Sequence, residues 1–194
     1  MSKSSYWDTR YRSGQSTNYL PSAFLEQAIE RLVPGRALDL ACGAGRNSFA
    51  LARRGWRVDA VDASPEALKI ARSRIAMLNL ECEFKQADLE TRLYAIDDQS
   101  YDLIIDFFYL HRPLWPVIRS GLKSGGVFVA EIHLQDLTPG LRPMRREFLL
   151  AEGELHSEFA DWRIEHYSED VRSCSPSRRT ARLVARRPLD TIKD

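Results

Sequence analysis

The chain has 194 residues, with 28 Lys and Arg against 27 Asp and Glu, so its formal net charge is +1. This balance gives no overall attraction to nucleic acid or to a membrane surface, and no apolar run approaches the roughly 20 residues that cross a bilayer. Three cysteines without a CxxC pair argue against a disulfide framework and against a zinc site. We therefore expect a single cytoplasmic domain over residues 1–194.

The pattern of apolar residues, caps and turn residues predicts alternating helices and strands up to residue 134. In chain order, the predicted elements are a helix at 21–35, a strand at 36–41, a helix at 46–53, a strand at 56–62, a helix at 64–80, strands at 81–88 and 101–110, a helix and turn at 112–126, and a strand at 127–134. Ser64 followed by Pro65 is a typical helix start. Strands that alternate with helices predict parallel crossovers, so we expect an open α/β sheet with helices on both faces.

The chain after residue 145 has a weaker pattern. A helical segment is expected within 146–160, and two further strands are expected at 162–172 and 180–187. A short polar loop joins these two strands, which predicts an antiparallel hairpin at one edge of the sheet.

The hairpin region also carries a basic strip. Its arginines are Arg172, Arg178, Arg179, Arg182, Arg186 and Arg187. Such a strip can contact the phosphates of a nucleic acid, or it can be a solvated, charge-protected sheet edge. We favour the sheet edge and do not expect nucleic acid or a membrane as a partner.

A glycine-rich turn, "LDLACGAG", follows the first predicted strand and indicates a nucleotide-like cofactor. The dinucleotide motif GxGxxG places a third glycine where this chain has Ser48. Asp39 lies in the strand just before the turn, and its carboxylate would repel a pyrophosphate there. The same carboxylate suits a ligand that carries an ammonium group.

"LDLACGAG" followed by "VDAVDAS" resembles motif I and the second-strand acid of the class I S-adenosyl-L-methionine (SAM)-dependent methyltransferases. "YWDTRYRSG" and "GRNS" further resemble the small bacterial methyltransferases of the tellurite-resistance and thiopurine type. The resemblance covers residues 5 to 135. It implies SAM as cofactor and a Rossmann-like, three-layer α/β sandwich, with a mostly parallel seven-stranded sheet and the C-terminal antiparallel hairpin at its edge. Ala41 departs from the family, which usually has glycine there.

The resemblance also implies roles for particular residues. Gly43 and Gly45 let the backbone approach the ligand, Asp62 holds the ribose hydroxyls, and Asp88 faces the adenine amino group. The full implied cofactor-binding set is Asp39, Ala41, Gly43, Gly45, Asn47, Asp62, Ala63, Asp88, Leu89 and Phe107. Each acid has a structural alternative when taken alone, such as a helix cap for Asp62. For Phe107, Phe108 and Trp115 we favour a place in the core over a role in a substrate cage.

The acceptor side has no diagnostic motif. The fourth strand ends without the Pro-Pro-aromatic motif of amino-group methylation, and Asp102 and Asp106 have no evident third partner, so no metal site is predicted. We propose Tyr11, His111 and Arg112 as catalytic candidates, with a water-facing helix start as the alternative for the last two.

Further acceptor-side candidates surround these three. Residues 1–34 form the expected N-terminal lid and helix segment, with Tyr6, Trp7, Arg10 and Tyr11 on the lid or simply packed on the sheet. The remaining candidates, which would suit an anionic acceptor, are His133, Arg142, Arg145 and Arg146.

The expected function is SAM-dependent methyl transfer to a small-molecule acceptor such as a thiol, a chalcogen or metalloid oxyanion, or a carboxylate. The alternatives are an RNA or protein methyltransferase, a SAM-binding protein without turnover, and an NAD-dependent oxidoreductase. The position of Asp39 argues against the oxidoreductase.

Overall fold

The structure is a computed structural model that describes residues 3–14, 18–78, 80–91, 94–136, 141, 143–169 and 178–190. The chain divides into two compact units. The N-terminal unit is Met1–Ala95, and the C-terminal unit is Ile96–Asp194. That the whole chain is one domain stays a prediction.

The N-terminal unit is a three-stranded parallel sheet with helices. Its elements are α1 (Lys3–Arg12), α2 (Ala23–Ala28), β1 (Arg36–Leu40), α3 (Arg46–Arg53), β2 (Arg57–Asp62), α4 (Pro65–Ala76) and β3 (Cys82–Gln86). β2 pairs in parallel with both β1 and β3. The carboxyl ends of the three strands therefore point to one edge, where open α/β sheets bind ligands.

Local sequence signals explain where α4 begins but not where α2 ends. The Ser64 hydroxyl accepts a hydrogen bond from the Ala67 backbone N–H at 3.1 Å, and Pro65 follows as the first helical residue, which confirms the predicted start of α4. The helix predicted at 21–35 is shorter, because the backbone N–H groups of Glu30 and Leu32 bond carbonyls three residues back. These tight turns end α2 at Ala28.

The C-terminal unit contains the remaining strands. Its elements are β4 (Tyr101–Phe107), a 3₁₀ turn (Arg112–Leu114), α5 (Trp115–Gly121), β5 (Leu122–His133), a second 3₁₀ turn (Arg146–Phe148), α6 (Glu154–Glu158), β6 (Arg163–Ser168) and β7 (Thr180–Arg186). β4 and β5 are parallel, and β7 is antiparallel to β5 and to β6. The predicted C-terminal hairpin is confirmed, and the predicted helical segment at 146–160 is only a 3₁₀ turn and a five-residue helix.

β5 begins five residues earlier than expected. Leu122 pairs with Tyr101, and the register then shifts so that Val127 pairs with Leu103. Gly125 lies within this stretch with φ of +74°, a conformation that glycine adopts without a steric cost. The predicted helix and turn at 112–126 therefore ends at Gly121, and its last residues belong to the strand.

Across the two units, the strands formed by the described residues are mostly parallel, with helices between them and antiparallel strands near the C-terminus, which confirms the predicted α/β fold class. No helix in the described part of the chain is long and apolar enough to cross a membrane.

The interpretation of the arginine strip as a solvated edge is wrong for the arginines of β7. β7 lies between β5 and β6, so it is not an edge strand. Arg182 pairs with the buried carboxylate of Glu131 at 2.8 Å, and Arg186 pairs with Glu165 at 2.7 Å. The charges of these two arginines are therefore compensated within the protein. Arg172 lies outside the described residues.

Candidate functional site

The turn after β1 has an unusual backbone conformation. Ala41, Gly43 and Gly45 have φ values of +51°, +56° and +79°. A methyl group at Gly45 would lie 3.0 Å from the Phe49 ring and 3.2 Å from the Phe84 ring, so packing requires glycine there. Ala41 adopts the left-handed conformation that glycine prefers, which explains why the family usually has glycine at this position.

Asp39 is a buried carboxylate at the end of β1. The Ser48 hydroxyl donates a hydrogen bond to its Oδ2 at 2.5 Å, and the side chain is almost completely shielded from solvent. Burial raises the pKa of Asp39 to about 7, the Ser48 hydrogen bond opposes this rise, and the nearby Asp62 carboxylate adds to it. Ser48, which replaces the third glycine of a dinucleotide motif, is therefore the partner of Asp39.

Asp62 joins the glycine turn to the start of α4. Its Oδ2 accepts a hydrogen bond from the Gly43 N–H at 2.8 Å, and its Oδ1 accepts one from the Ser64 N–H, also at 2.8 Å. The second bond matches the helix-start alternative for this acid. A carboxylate has about four lone-pair sites, so both oxygens keep capacity for two adjacent hydroxyl groups.

Burial and neighbouring carboxylates together raise the pKa values of the titratable groups around the turn. Burial is the first cause in each case: it raises the pKa values of Asp62, Cys42 and Tyr11. Carboxylates are further causes, since Asp39 and Asp62 raise the pKa of Cys42 and Asp62 raises that of Tyr11. Because a positive charge would relieve this repulsion, the turn fits a cationic ligand and not a pyrophosphate.

Helix α1 covers the glycine turn. The Tyr11 hydroxyl accepts a hydrogen bond from the Ala44 backbone N–H, and a side chain at Gly43 would collide with that hydroxyl. Asp8 accepts a hydrogen bond from the Ser64 hydroxyl at 2.5 Å. The Tyr11 hydroxyl therefore lies directly against the backbone of the glycine turn, in the place that a side chain at residue 43 would take.

α1 is further tied to α4 by the ion pair of Arg12 with Glu66 at 3.0 Å. On the same helix, Tyr6 and Trp7 are exposed, and the Arg10 guanidinium lies 5.4 Å from the Trp7 ring. The catalytic role of Tyr11 stays a prediction.

The other implied cofactor residues of the N-terminal unit differ in exposure. Asn47 is buried, and its Oδ1 accepts a hydrogen bond from the Ser22 N–H at 3.0 Å. Ala63 is half-buried, Leu89 is buried, and Asp88 is exposed, with its Oδ1 accepting from the Glu90 N–H at 2.9 Å. Of these four residues only Asp88 has a carboxylate, and that carboxylate faces solvent.

In the C-terminal unit, Arg112 is held by protein partners. Its Nη2 lies 2.9 Å from the Glu154 carboxylate, and its guanidinium also donates to the Glu147 and Leu149 carbonyls at 3.1 Å. The ion pair raises the pKa of Arg112 and lowers that of Glu154. Arg112 thus holds the segment before α6 in place. The spacing of residues in the sequence could not predict these contacts.

The neighbouring predicted residues lie at the end of β4. His111 is half-buried and precedes the 3₁₀ turn, while Phe107 is buried at the end of the strand. Of the loop arginines, Arg145 pairs with Glu147 at 3.5 Å and Arg146 donates to Gln135 at 3.4 Å. Arg142 lies outside the described residues. The described parts of the chain hold no group of three or more His, Cys, Asp or Glu side chains suited to a metal ion.

His133, one of the acceptor-side candidates, contacts Phe108. The His133 ring at the end of β5 lies 5.0 Å from the Phe108 ring. His133 Nδ1 is buried and has no hydrogen-bond partner in the described portion of the chain. Phe108 has φ of +64°, which is strained for a bulky residue. The sequence signal was a histidine at the end of a strand.

The sequence matches known methyltransferases. A family model described as a methyltransferase domain matches residues 37–126. TehB of Haemophilus influenzae, described as a probable SAM-dependent methyltransferase, is 31% identical over 157 residues, which cover 74% of this chain and 51% of TehB. The chain thus spans about half the length of that relative.

Two further similarities extend over more of the chain. A ubiquinone biosynthesis O-methyltransferase of Xanthomonas campestris is 31% identical over 181 residues, which cover 82% of this chain and 75% of that protein. The crystal structure of H. influenzae TehB matches with a TM-score of 0.77 and 22% identity, over 93% of this chain and 67% of that chain. The resemblance to tellurite-resistance methyltransferases is confirmed, and the structural match supports the same fold.

Proposed function

Because the chain belongs to the SAM-dependent methyltransferase family, we propose that it transfers the methyl group of SAM to a small-molecule acceptor. SAM supplies a methyl group on a cationic sulfonium. The single observation that carries this proposal is the placement of two carboxyl groups, buried Asp39 and half-buried Asp62, at the glycine turn, since carboxylates favour a positive ligand.

The residues of the N-terminal unit have separate tasks in this proposal. Asp62 binds the two ribose hydroxyls with the lone pairs that Gly43 and Ser64 leave free. The backbone N–H groups of the glycine turn bind the ligand's carboxylate in the place where the Tyr11 hydroxyl now lies against Gly43. Asp39 stabilises the positive charge. Alignment of the acceptor with the methyl carbon then contributes most of the rate enhancement.

A small-molecule acceptor is favoured over RNA or a protein. Arg182 and Arg186 of the basic strip are engaged in ion pairs, so they do not form a free phosphate-binding surface. The Xanthomonas relative is named for methylation of an oxygen atom in the biosynthesis of a small molecule. Both observations support a small acceptor in this chain.

The first test is the binding of SAM to wild type and to Asp62→Asn, measured by calorimetry. The amide removes the charge while keeping the size, so affinity should fall about tenfold to a hundredfold. Glu83→Gln removes an exposed carboxylate on β3 and should leave affinity unchanged. Equal affinity of Asp62→Asn and wild type would contradict the proposed ribose site, and tighter binding of NAD than of SAM would contradict SAM as the cofactor.

Turnover is tested by S-adenosylhomocysteine (SAH) formation with a panel of phenols, thiols, carboxylates, selenite and tellurite. SAH formation that depends on one acceptor class supports the enzyme. Binding of SAM without SAH formation in any reaction would instead favour the alternative of a SAM-binding protein without turnover.

A further inference from the structure

The carboxyl ends of β4 and β5 hold two locally unfavourable features in contact. Phe108, directly after β4, has a left-handed backbone, and His133, the last residue of β5, has a buried nitrogen without a partner in the described chain. Their rings lie 5.0 Å apart. A strained bulky residue and an unsatisfied buried polar atom each destabilise the folded protein, and such features concentrate at ligand sites.

The surroundings keep the His133 ring neutral. Burial lowers the pKa of His133 to about 4, and the positive charge of Arg178 adds to this effect, while the Glu131 carboxylate opposes it. Glu131 is itself neutralised by Arg182 at 2.8 Å. A neutral imidazole has one nitrogen that accepts a hydrogen bond, so the ring can bind a donor near neutral pH but attracts no anion.

The Phe108 ring provides an apolar wall beside this acceptor. Its side chain is 37% exposed although it is a large aromatic residue, and its backbone N–H is fixed to the Glu131 carbonyl at 2.7 Å. Phe107 lies behind it, with ring centroids 6.4 Å apart. A flat aromatic molecule can therefore pack on the Phe108 ring and present a hydroxyl to His133.

We propose that His133 accepts a hydrogen bond from the hydroxyl of an aromatic methyl acceptor that packs on Phe108. The inference rests on the proposed function and narrows its acceptor to a neutral molecule whose reacting oxygen carries a proton. As that oxygen bonds the methyl carbon and the bond from the methyl carbon to sulfur breaks, the proton would pass to the neutral His133 ring and from there to solvent, and SAH would leave. His133 orients that oxygen, and Phe108 holds the plane of the ring. The described arginines nearby support a neutral acceptor, since Arg112 and Arg145 are already paired with Glu154 and Glu147.

The test compares phenol with anisole, its methyl ether, as probes for the ligand-free and the SAH-loaded protein. Binding is followed by NMR, so the readout does not depend on turnover. Wild type should bind phenol about tenfold more tightly than anisole, because only phenol donates a hydrogen bond. His133→Phe should bind both probes equally, and His133→Asn, which keeps an acceptor oxygen, should keep part of the preference.

Two further variants separate the hydrogen bond from the ring contact. Phe108→Gly relieves the backbone strain and should lower the binding affinity for both probes by about the same factor. His166→Phe removes an exposed histidine on β6 and should leave the preference intact. Circular dichroism checks that each variant is folded.

An unchanged preference for phenol in His133→Phe overturns the proposal, as does a wild type that binds SAH but neither probe. Failure of the proposed function would give a different result. The wild-type protein would then not bind SAM, but it would still bind phenol more tightly than anisole.

Discussion

Among the key residues at the glycine turn, Asp39 and Asp62 lie at the ends of strands and Gly43 lies in the turn after the first strand. Their positions could be predicted from the local sequence, because the pattern of strands and turns was enough to identify them. The hydrogen bond between Ser48 and Asp39 and the ion pair between Arg112 and Glu154 were not predictable in this way, because they join different elements. The second pair spans 42 positions.

The raised pKa of Asp39 predicts a pH-dependent stability. The pKa is about 7 in the folded protein against 3.8 for an unperturbed group, so the folded state favours the protonated form. The resulting stabilisation is fully present below pH 4 and is lost as pH rises through 7. Asp39→Asn has no proton to lose and lacks this decline. Relative to wild type, the variant should therefore gain up to about 4 kcal/mol between pH 4 and pH 8.

Urea unfolding of ligand-free wild type and Asp39→Asn at several pH values measures this difference. Asp98→Asn replaces an exposed carboxylate and should show no comparable change with pH. If wild type and Asp39→Asn kept a constant difference in unfolding free energy over this range, Asp39 would be ionised in the folded protein throughout, and the raised pKa that we attribute to its burial would be wrong.

At the scale of elements, prediction succeeded where the signal is local. The N-cap and proline of α4 lie within the helix start itself, so its first residue was predictable. The early start of β5 depends on the pairing of Leu122 with Tyr101, which is 21 positions away and leaves no mark in a local pattern. α2 ends at Ala28 because Glu30 and Leu32 bond carbonyls three residues back, and the apolar pattern of the sequence does not distinguish such tight turns from a continuing helix.

The pairing of β5 with β7 is stabilised by a buried ion pair. The Glu131 side chain is 3% exposed and that of Arg182 is 19% exposed. Glu131→Gln leaves the guanidinium without its counter-charge, and we expect a loss of about 3 kcal/mol in unfolding free energy. Glu165→Gln breaks the more exposed pair with Arg186 on the neighbouring strand and should cost about 1 kcal/mol or less. Chemical denaturation of both variants gives the comparison, and equal losses would show that burial does not set the strength of these pairs.

Over the whole molecule, a net charge of +1 conceals an uneven distribution. The arginines of β7 are neutralised by acids on neighbouring strands, whereas Asp39 and Asp62 at the glycine turn raise the pKa values of nearby groups. Composition therefore excluded an overall attraction to polyanions, but only the arrangement in space identifies where a cation is favoured. The two carboxyl groups at the glycine turn should therefore make the protein prefer a cationic ligand over a neutral one.

The affinity for SAM should rise with pH. SAM carries a net charge of +1 because of its sulfonium, and SAH, which lacks that charge, is neutral. A bound cation lowers the pKa of Asp39 from about 7, so SAM binding releases a proton and its affinity should increase about tenfold from pH 6 to pH 8. SAH should show a smaller increase, and Asp39→Asn should show none for either ligand. Calorimetry in two buffers of different ionisation enthalpy counts the protons released. An equal pH dependence for SAM and SAH would mean that Asp39 does not interact with the sulfonium, and a falling SAM affinity would reverse the sign of the charge inferred for the turn.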